Sequence, residues 1–238
     1  MFIWSYLLYL CLICSSSMGE PTTLHSCPCL SQLFEQSDDK TRVPVGENEG
    51  YINASYIRMK VGTEELFYIS AQGPLPGTQD NFWQMVWENK SDVIAMMTQE
   101  VERGRVKCHK YWPEKLDIPK ETSRYQLHLD NYQIGDVHFV KHLKFTTWPD
   151  HGTPHSSEQL VRFMRYMRAV HAKGPIVVHC SAGIGRAGVL ICTDVILSLI
   201  EKDLIKEMRL QRHGMIQTKV SISGHSVEIL PSDKSIYQ

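Results

Sequence analysis

Apolar positions along the chain fall into two periods, and together they describe an α/β domain. Phe67-Tyr68-Ile69-Ser70-Ala71 alternates as a strand does, while Asp92-Val93-Ile94-Ala95-Met96-Met97 and Pro175-Ile176-Val177-Val178 are short continuous apolar runs of buried-strand type. Tyr125-Gln126-Leu127-His128-Leu129 and the stretch His138 to Phe145 read as neighbouring strands. Helical spacing appears where Thr78 can cap a segment whose apolar face includes Phe82, Met85 and Val86. It returns after Ser156 or Ser157, with Leu160, Phe163, Met164 and Met167 on one face. A third helix is expected from about Arg186 to Asp203, and a shorter one ending near Gly214. The pattern predicts one α/β domain with a mixed, twisted central sheet flanked by helices.

The segment between the strand at Val178 and the helix after Arg186 carries the chemistry. His179-Cys180-Ser181-Ala182-Gly183-Ile184-Gly185-Arg186 joins the two through a loop bearing two glycines. Successive backbone N–H groups in such a loop converge on one point, and the helix N-terminus adds positive potential, so the loop is an anion cradle. Arg186 adds a planar fork that can bind two phosphate oxygens. Positive potential favours the thiolate, so Cys180 at the base of the cradle is a candidate nucleophile for attack on phosphorus. A cysteine and an arginine six positions apart are a weak signal alone, and a strand cysteine is ordinarily a small buried hydrophobe.

Other segments raise that signal. Val178 to Arg186 resembles the signature loop of the protein tyrosine phosphatases, and Trp148-Pro149-Asp150-His151-Gly152 resembles their mobile acid loop. Tyr51-Ile52-Asn53-Ala54-Ser55-Tyr56-Ile57, Ala71-Gln72-Gly73-Pro74 and Lys107-Cys108-His109-Lys110-Tyr111-Trp112-Pro113 match further segments of that family in the same order. The resemblance runs from about Asp38 to Lys219. It implies a cysteine-phosphatase domain over residues 38–219, a non-family and disordered arm over 1–37, and a divergent tail over 220–238. It also implies hydrolysis of phosphotyrosine in proteins through a phosphocysteine, without cofactor or metal. Cys180 would be the nucleophile and Asp150 the general acid and then base. Arg186 and the backbone amides from Ser181 through Ala182, Gly183, Ile184 and Gly185 would bind phosphate. Gln217 would position the water of the second step. In supporting roles, His179 would orient the loop, Glu102 would orient Arg186 and Lys107 would steady the closed acid loop, with Trp148 of that loop a further supporting residue.

Several departures concern the frame more than the reactive groups, and suggest a shortened or spliced form. Ala187 stands where the family usually has a hydroxyl that stabilises the departing thiolate. Leu30 to Arg42 lacks the Asn-Arg-Tyr segment whose tyrosine deepens the substrate pocket. The stretch from Leu129 to Lys141 is short by about one strand, which would leave sheet edges unpaired. Glu201 to Lys206 joins two helices more tightly than in relatives. Beyond Lys219 the expected amphipathic helix is absent, and Ser221 replaces a second glutamine. These leave open an alternative, a catalytically impaired isoform that binds phosphotyrosine as a pseudophosphatase.

Composition narrows the setting. At 238 residues, with 42% hydrophobic positions and five tryptophans, the chain suits one domain with an ample core. A net charge of −1 gives no argument for nucleic acid or a membrane surface. The seven cysteines are scattered, and neither Cys11-x-x-Cys14 nor Cys27-Pro-Cys29 has a second pair at zinc-site spacing, so neither a metal site nor a disulfide framework is expected. Met1 to Cys14 is almost wholly apolar and is followed by small residues, as in a signal-peptide core, but no basic residue precedes it. The run is short for a membrane span. A reactive thiol favours a reducing compartment, so the cytoplasm is expected, with the secretory pathway as the alternative if residues 1–17 act as a leader.

Overall fold

The computed structural model describes residues 8–14, 40–47, 50–116, 118–129, 137–149, 154, 156–200, 220–223 and 226–229. Its centre is an eight-stranded mixed sheet. The strands are β1 (Leu8–Cys14), β2 (Ala54–Val61), β3 (Glu64–Ala71), β4 (Val93–Met96), β7 (Lys120–Glu121), β8 (Tyr125–Leu129), β9 (Val137–Lys144) and β10 (Ile176–His179), in spatial order β2-β3-β10-β4-β9-β1-β8-β7. The four inner strands β3, β10, β4 and β9 run parallel, while the β2–β3, β9–β1, β1–β8 and β8–β7 pairs are antiparallel. Two small ribbons stand apart, β5 (Val101–Glu102) with β6 (Arg105–Val106), and β11 (Val220–Ser223) with β12 (Ser226–Ile229).

The inner strands are covered on both faces, which explains their near-continuous apolar sequence. Period two divides their side chains between two cores. Ile94, Met96 and Val177 join Phe82, Trp83 and Met85 of helix α1 (Gln79–Glu88). Val93, Ala95, Ile176 and Val178 join Phe163, Met164 and Met167 of α2 (Ser157–Val170) and Leu190 and Val195 of α3 (Arg186–Leu199). Each fully buried side chain of this size contributes roughly 1.5–3 kcal/mol. Polar groups tie the second layer together: Tyr68 on β3 donates to Asp194 on α3 at 2.8 Å, and Arg168 on α2 pairs with the same carboxylate.

Most predicted elements are found at the expected places, including the α2 cap, where the Ser156 hydroxyl accepts from the Gln159 N–H. Three expectations need correction. Thr78 precedes α1 but does not cap it; its hydroxyl instead closes the preceding 3-10 turn, accepting from the Leu75 N–H at 3.0 Å. β8 and β9 are not neighbours, because β1 lies between them, with Leu10 opposite Leu129 on one side and Val140 on the other. Alternation within β8 and β9 carries no information about a third segment more than a hundred residues away. An apolar run with free ladder groups satisfies both edges that the shortened Leu129–Lys141 stretch would otherwise leave unpaired. Leu8–Cys14 is thus a sheet strand rather than part of a loose arm. The helix expected to end near Gly214 lies outside the described residues. Among the described residues, no helix is long and apolar enough to cross a membrane.

Candidate active site

The site lies at the carboxyl end of β10, where the sheet passes through a tight loop into α3. This is the customary ligand position in an open α/β sheet. The Met97 N–H donates to the His179 carbonyl at 2.8 Å, and the Gly73 N–H donates to the Ser181 carbonyl at 3.0 Å, so adjoining segments clamp the start of the loop. A Cβ on Gly73 would stand 2.5 Å from the Cys180 carbonyl oxygen, so only glycine allows this approach. Gly183 has φ +84°, in the left-handed region, and a Cβ there would meet the Ala71 backbone at 2.5 Å. The Ser70 hydroxyl donates to the Gly183 carbonyl at 2.6 Å, and the Gly183 N–H, on the preceding peptide, faces Cys180 Sγ at 3.3 Å.

Cys180 is 5% exposed, at the floor of the loop. Gly185 occupies the N-cap of α3 and supplies no side-chain cap to the first-turn N–H groups. Arg186, the first residue of α3, is fixed in two directions. Its Nη1 and Nη2 donate to the two Glu102 carboxylate oxygens at 2.6 and 2.8 Å, and Nη2 also donates to the Pro149 carbonyl at 3.0 Å. Glu102 is buried and itself held by the Thr98 hydroxyl and the Gln99 N–H, at 2.9 and 3.1 Å. The fork of Arg186 is therefore preorganised, and the segment leading to Asp150 is tied to it.

The neighbouring thiol makes a useful contrast. Burial pushes Cys108 up to about 12, with Glu100 adding to the effect, so it stays a neutral packing residue beside Gly73. A cavity of about 670 Å³ also adjoins the loop, lined by Ser70, Gly183, Ile191 and Val195 among others, but neither Cys180 nor Arg186 lines it.

A family model described as "Protein-tyrosine phosphatase" matches residues 36–223. The chain belongs to the protein-tyrosine phosphatase family. The human tyrosine-protein phosphatase non-receptor type 20 is 50% identical over 204 residues, covering 76% of this chain and 49% of that protein. The mouse non-receptor type 13 phosphatase is also 50% identical, over 205 residues that cover 76% of this chain and 8% of its own length. Mouse non-receptor type 4 is 41% identical over 210 residues, 76% of this chain and 22% of its own. The chain thus spans about half the length of the type 20 phosphatase and far less of the others.

In this phosphatase domain the structure brings together Cys180, Ser181, Ala182, Gly183, Ile184, Gly185 and Arg186 in one loop, with Glu102 against Arg186 and His179 beneath. Trp148 is buried edge-on to Phe145. Lys107 anchors its backbone N–H on the Glu100 carbonyl at 2.8 Å. Asp150 and Gln217 lie outside the described residues, as does any contact of Lys107 with Asp150. Ala187 is fully buried. Sequence reasoning did not single out Ser70, Gly73, Thr98 or Tyr111. Gly73 and Tyr111 fall within matched segments, so their signal was present; Ser70 and Thr98 carry none, since their partners are 113 and 88 residues away.

Proposed function

We propose that the chain is a protein tyrosine phosphatase that cleaves aryl phosphate esters in two steps through a phosphocysteine. In the first step the Cys180 thiolate attacks phosphorus in line with the leaving phenol. The sulfur–phosphorus bond forms as the phosphorus–oxygen bond breaks, and Asp150 gives its proton to the phenolate oxygen. In the second, water attacks the phosphocysteine, Asp150 takes a proton from it, and phosphate leaves with the thiolate restored; Gln217 positions that water. The loop amides and Arg186 stabilise the equatorial oxygens throughout. The observation that carries this reading is the bidentate Arg186–Glu102 pair at one end of the loop that begins at the buried Cys180, because a guanidinium fixed at the end of a glycine-bearing loop with a thiol at its start suits a phosphoryl group. Its natural substrates are phosphotyrosine-containing proteins, encountered in the cytoplasm.

A specific observation favours a slower variant of the same chemistry. Ala187 offers no hydroxyl to the thiolate leaving in the second step, so the phosphocysteine breaks down slowly and turnover is impaired. Phosphate release from matched phosphotyrosine and phosphoserine peptides tests the substrate class. Release from phosphotyrosine, abolished in Cys180→Ser, is expected. Comparable rates on phosphoserine would overturn the selectivity.

A further inference from the structure

Three rings form a buried relay behind the reactive loop. The Tyr111 hydroxyl lies 2.8 Å from Nε2 of His142 on β9 and 2.6 Å from Nε2 of His179 on β10. Nδ1 of His179 lies 3.2 Å from the Cys180 carbonyl oxygen. Trp112 stacks on His142, and Phe82 meets His179 edge-on, which holds both imidazoles in place. Burial pushes His142 down to about 3 and His179 down to about 4, so both are neutral near pH 7 and each carries one N–H and one bare nitrogen.

These constraints fix the direction of every hydrogen. The Cys180 carbonyl can only accept, so the hydrogen of His179 sits on Nδ1 and its Nε2 is bare. Tyr111 must then donate its one hydrogen to His179, and its oxygen accepts from Nε2–H of His142. His142 Nδ1 is left bare, and this atom has no hydrogen-bond partner among the described residues. A bare lone pair is tolerable there, whereas an N–H would be an orphaned buried donor. The reverse direction would create that orphan and set a bare Nδ1 against the Cys180 carbonyl. Both ends of the relay demand the same polarity.

We propose that His142 is a positioning residue for catalysis: its Nε2–H commits the Tyr111 hydroxyl to His179, which keeps the His179 Nδ1–H on the carbonyl of Cys180. The inference rests on the reading of Cys180 as nucleophile. Its role belongs to the chemical steps rather than to substrate binding, because Tyr111, His142 and His179 are all buried. His142→Gln keeps an N–H donor at the same reach, while His142→Phe removes it.

The test joins ¹⁵N-histidine NMR of the full chain with kinetics on an aryl phosphate. Wild-type spectra are expected to show Nε2–H for His142 and Nδ1–H for His179. His142→Phe is expected to lower kcat about tenfold, the effect of one lost neutral hydrogen bond, with KM little changed. His142→Gln restores most of kcat, and Tyr111→Phe added to His142→Phe costs less than about twofold more, because the two act through one relay. Reversed tautomers, or wild-type kcat in a folded His142→Phe, overturn the inference. If His142→Phe does not fold, the wild-type tautomers and the His142→Gln kcat decide. Iodoacetamide labelling of Cys180 separates the two levels. A wild-type chain that neither labels there nor turns over overturns the functional reading and the inference with it, whereas labelling and turnover with reversed tautomers overturn the inference alone.

Discussion

Acidification from pH 7 to pH 5 should strip this domain of much of its stability, and the two relay histidines supply the magnitude. In the unfolded chain each titrates near ~6.5. In the folded chain, burial holds His142 at about 3 and His179 at about 4. Below pH ~6.5 the unfolded chain therefore binds protons that the folded chain refuses, and stability falls as pH falls until the folded values are reached. Each pH unit in that window costs about 1.4 kcal/mol per group, so by pH 5 each histidine has withdrawn about 2 kcal/mol and the pair about 4 kcal/mol. A margin of roughly 5–15 kcal/mol makes that loss plain. Burial shifts His138 down as well, in the same direction. Burial also pushes Asp92 and Glu100 up, but hydrogen bonds and nearby cations outweigh it and hold both carboxyls low. Their stabilisation is present above the usual carboxylate range and is lost only as pH falls below it, outside the window. Guanidinium unfolding followed by tryptophan fluorescence at the two pH values measures the difference. His142→Gln should reduce the loss to about 2 kcal/mol. Equal stabilities at pH 7 and pH 5 would refute the claim that both imidazoles are buried and neutral.

Other outcomes follow from the same structure. Glu102→Ala leaves Arg186 without its carboxylate, and should cost about 3–5 kcal/mol in thermal or denaturant unfolding along with most activity. Gly183→Ala forces a Cβ into the left-handed region and against the Ala71 backbone, so phosphatase activity should vanish even where circular dichroism shows a folded chain. Leu10→Pro removes a ladder donor from β1 between β8 and β9, and should lower stability by about 1–3 kcal/mol; an unchanged melting temperature would contradict the place of β1 in the sheet. Ala187→Ser should speed the slow phase of turnover, measured after the first equivalent of phenol is released, without altering that first phase.

How much of this was readable from residues alone differs by element. The run Ile176–Val178, the loop and the helix after Arg186 were legible because each depends on local pattern: a continuous apolar strand, a left-handed turn at Gly183 that only glycine suits, and helical spacing. The pairing of Glu102 with Arg186 was implied only by family resemblance, since the two lie 84 positions apart. Sheet order was the least legible part. The apolar composition of Leu8–Cys14 does not by itself mark a central strand, and its place shows only in its pairing with both β8 and β9. The relay was hidden for a related reason. Tyr111, His142 and His179 each look like ordinary core residues, and their function lies in hydrogen directions set by one another.

The central claim is that Cys180 attacks phosphorus in a cradle held by Arg186. Rapid mixing of the purified chain with an aryl phosphate tests it most directly, with Cys180→Ser alongside. A burst of phenol approaching one equivalent per chain, absent in Cys180→Ser and followed by slower turnover, is the predicted result. Phenol release without a burst and at the same rate in Cys180→Ser, or no release at all from a chain that vanadate fails to stabilise against heat, would contradict it.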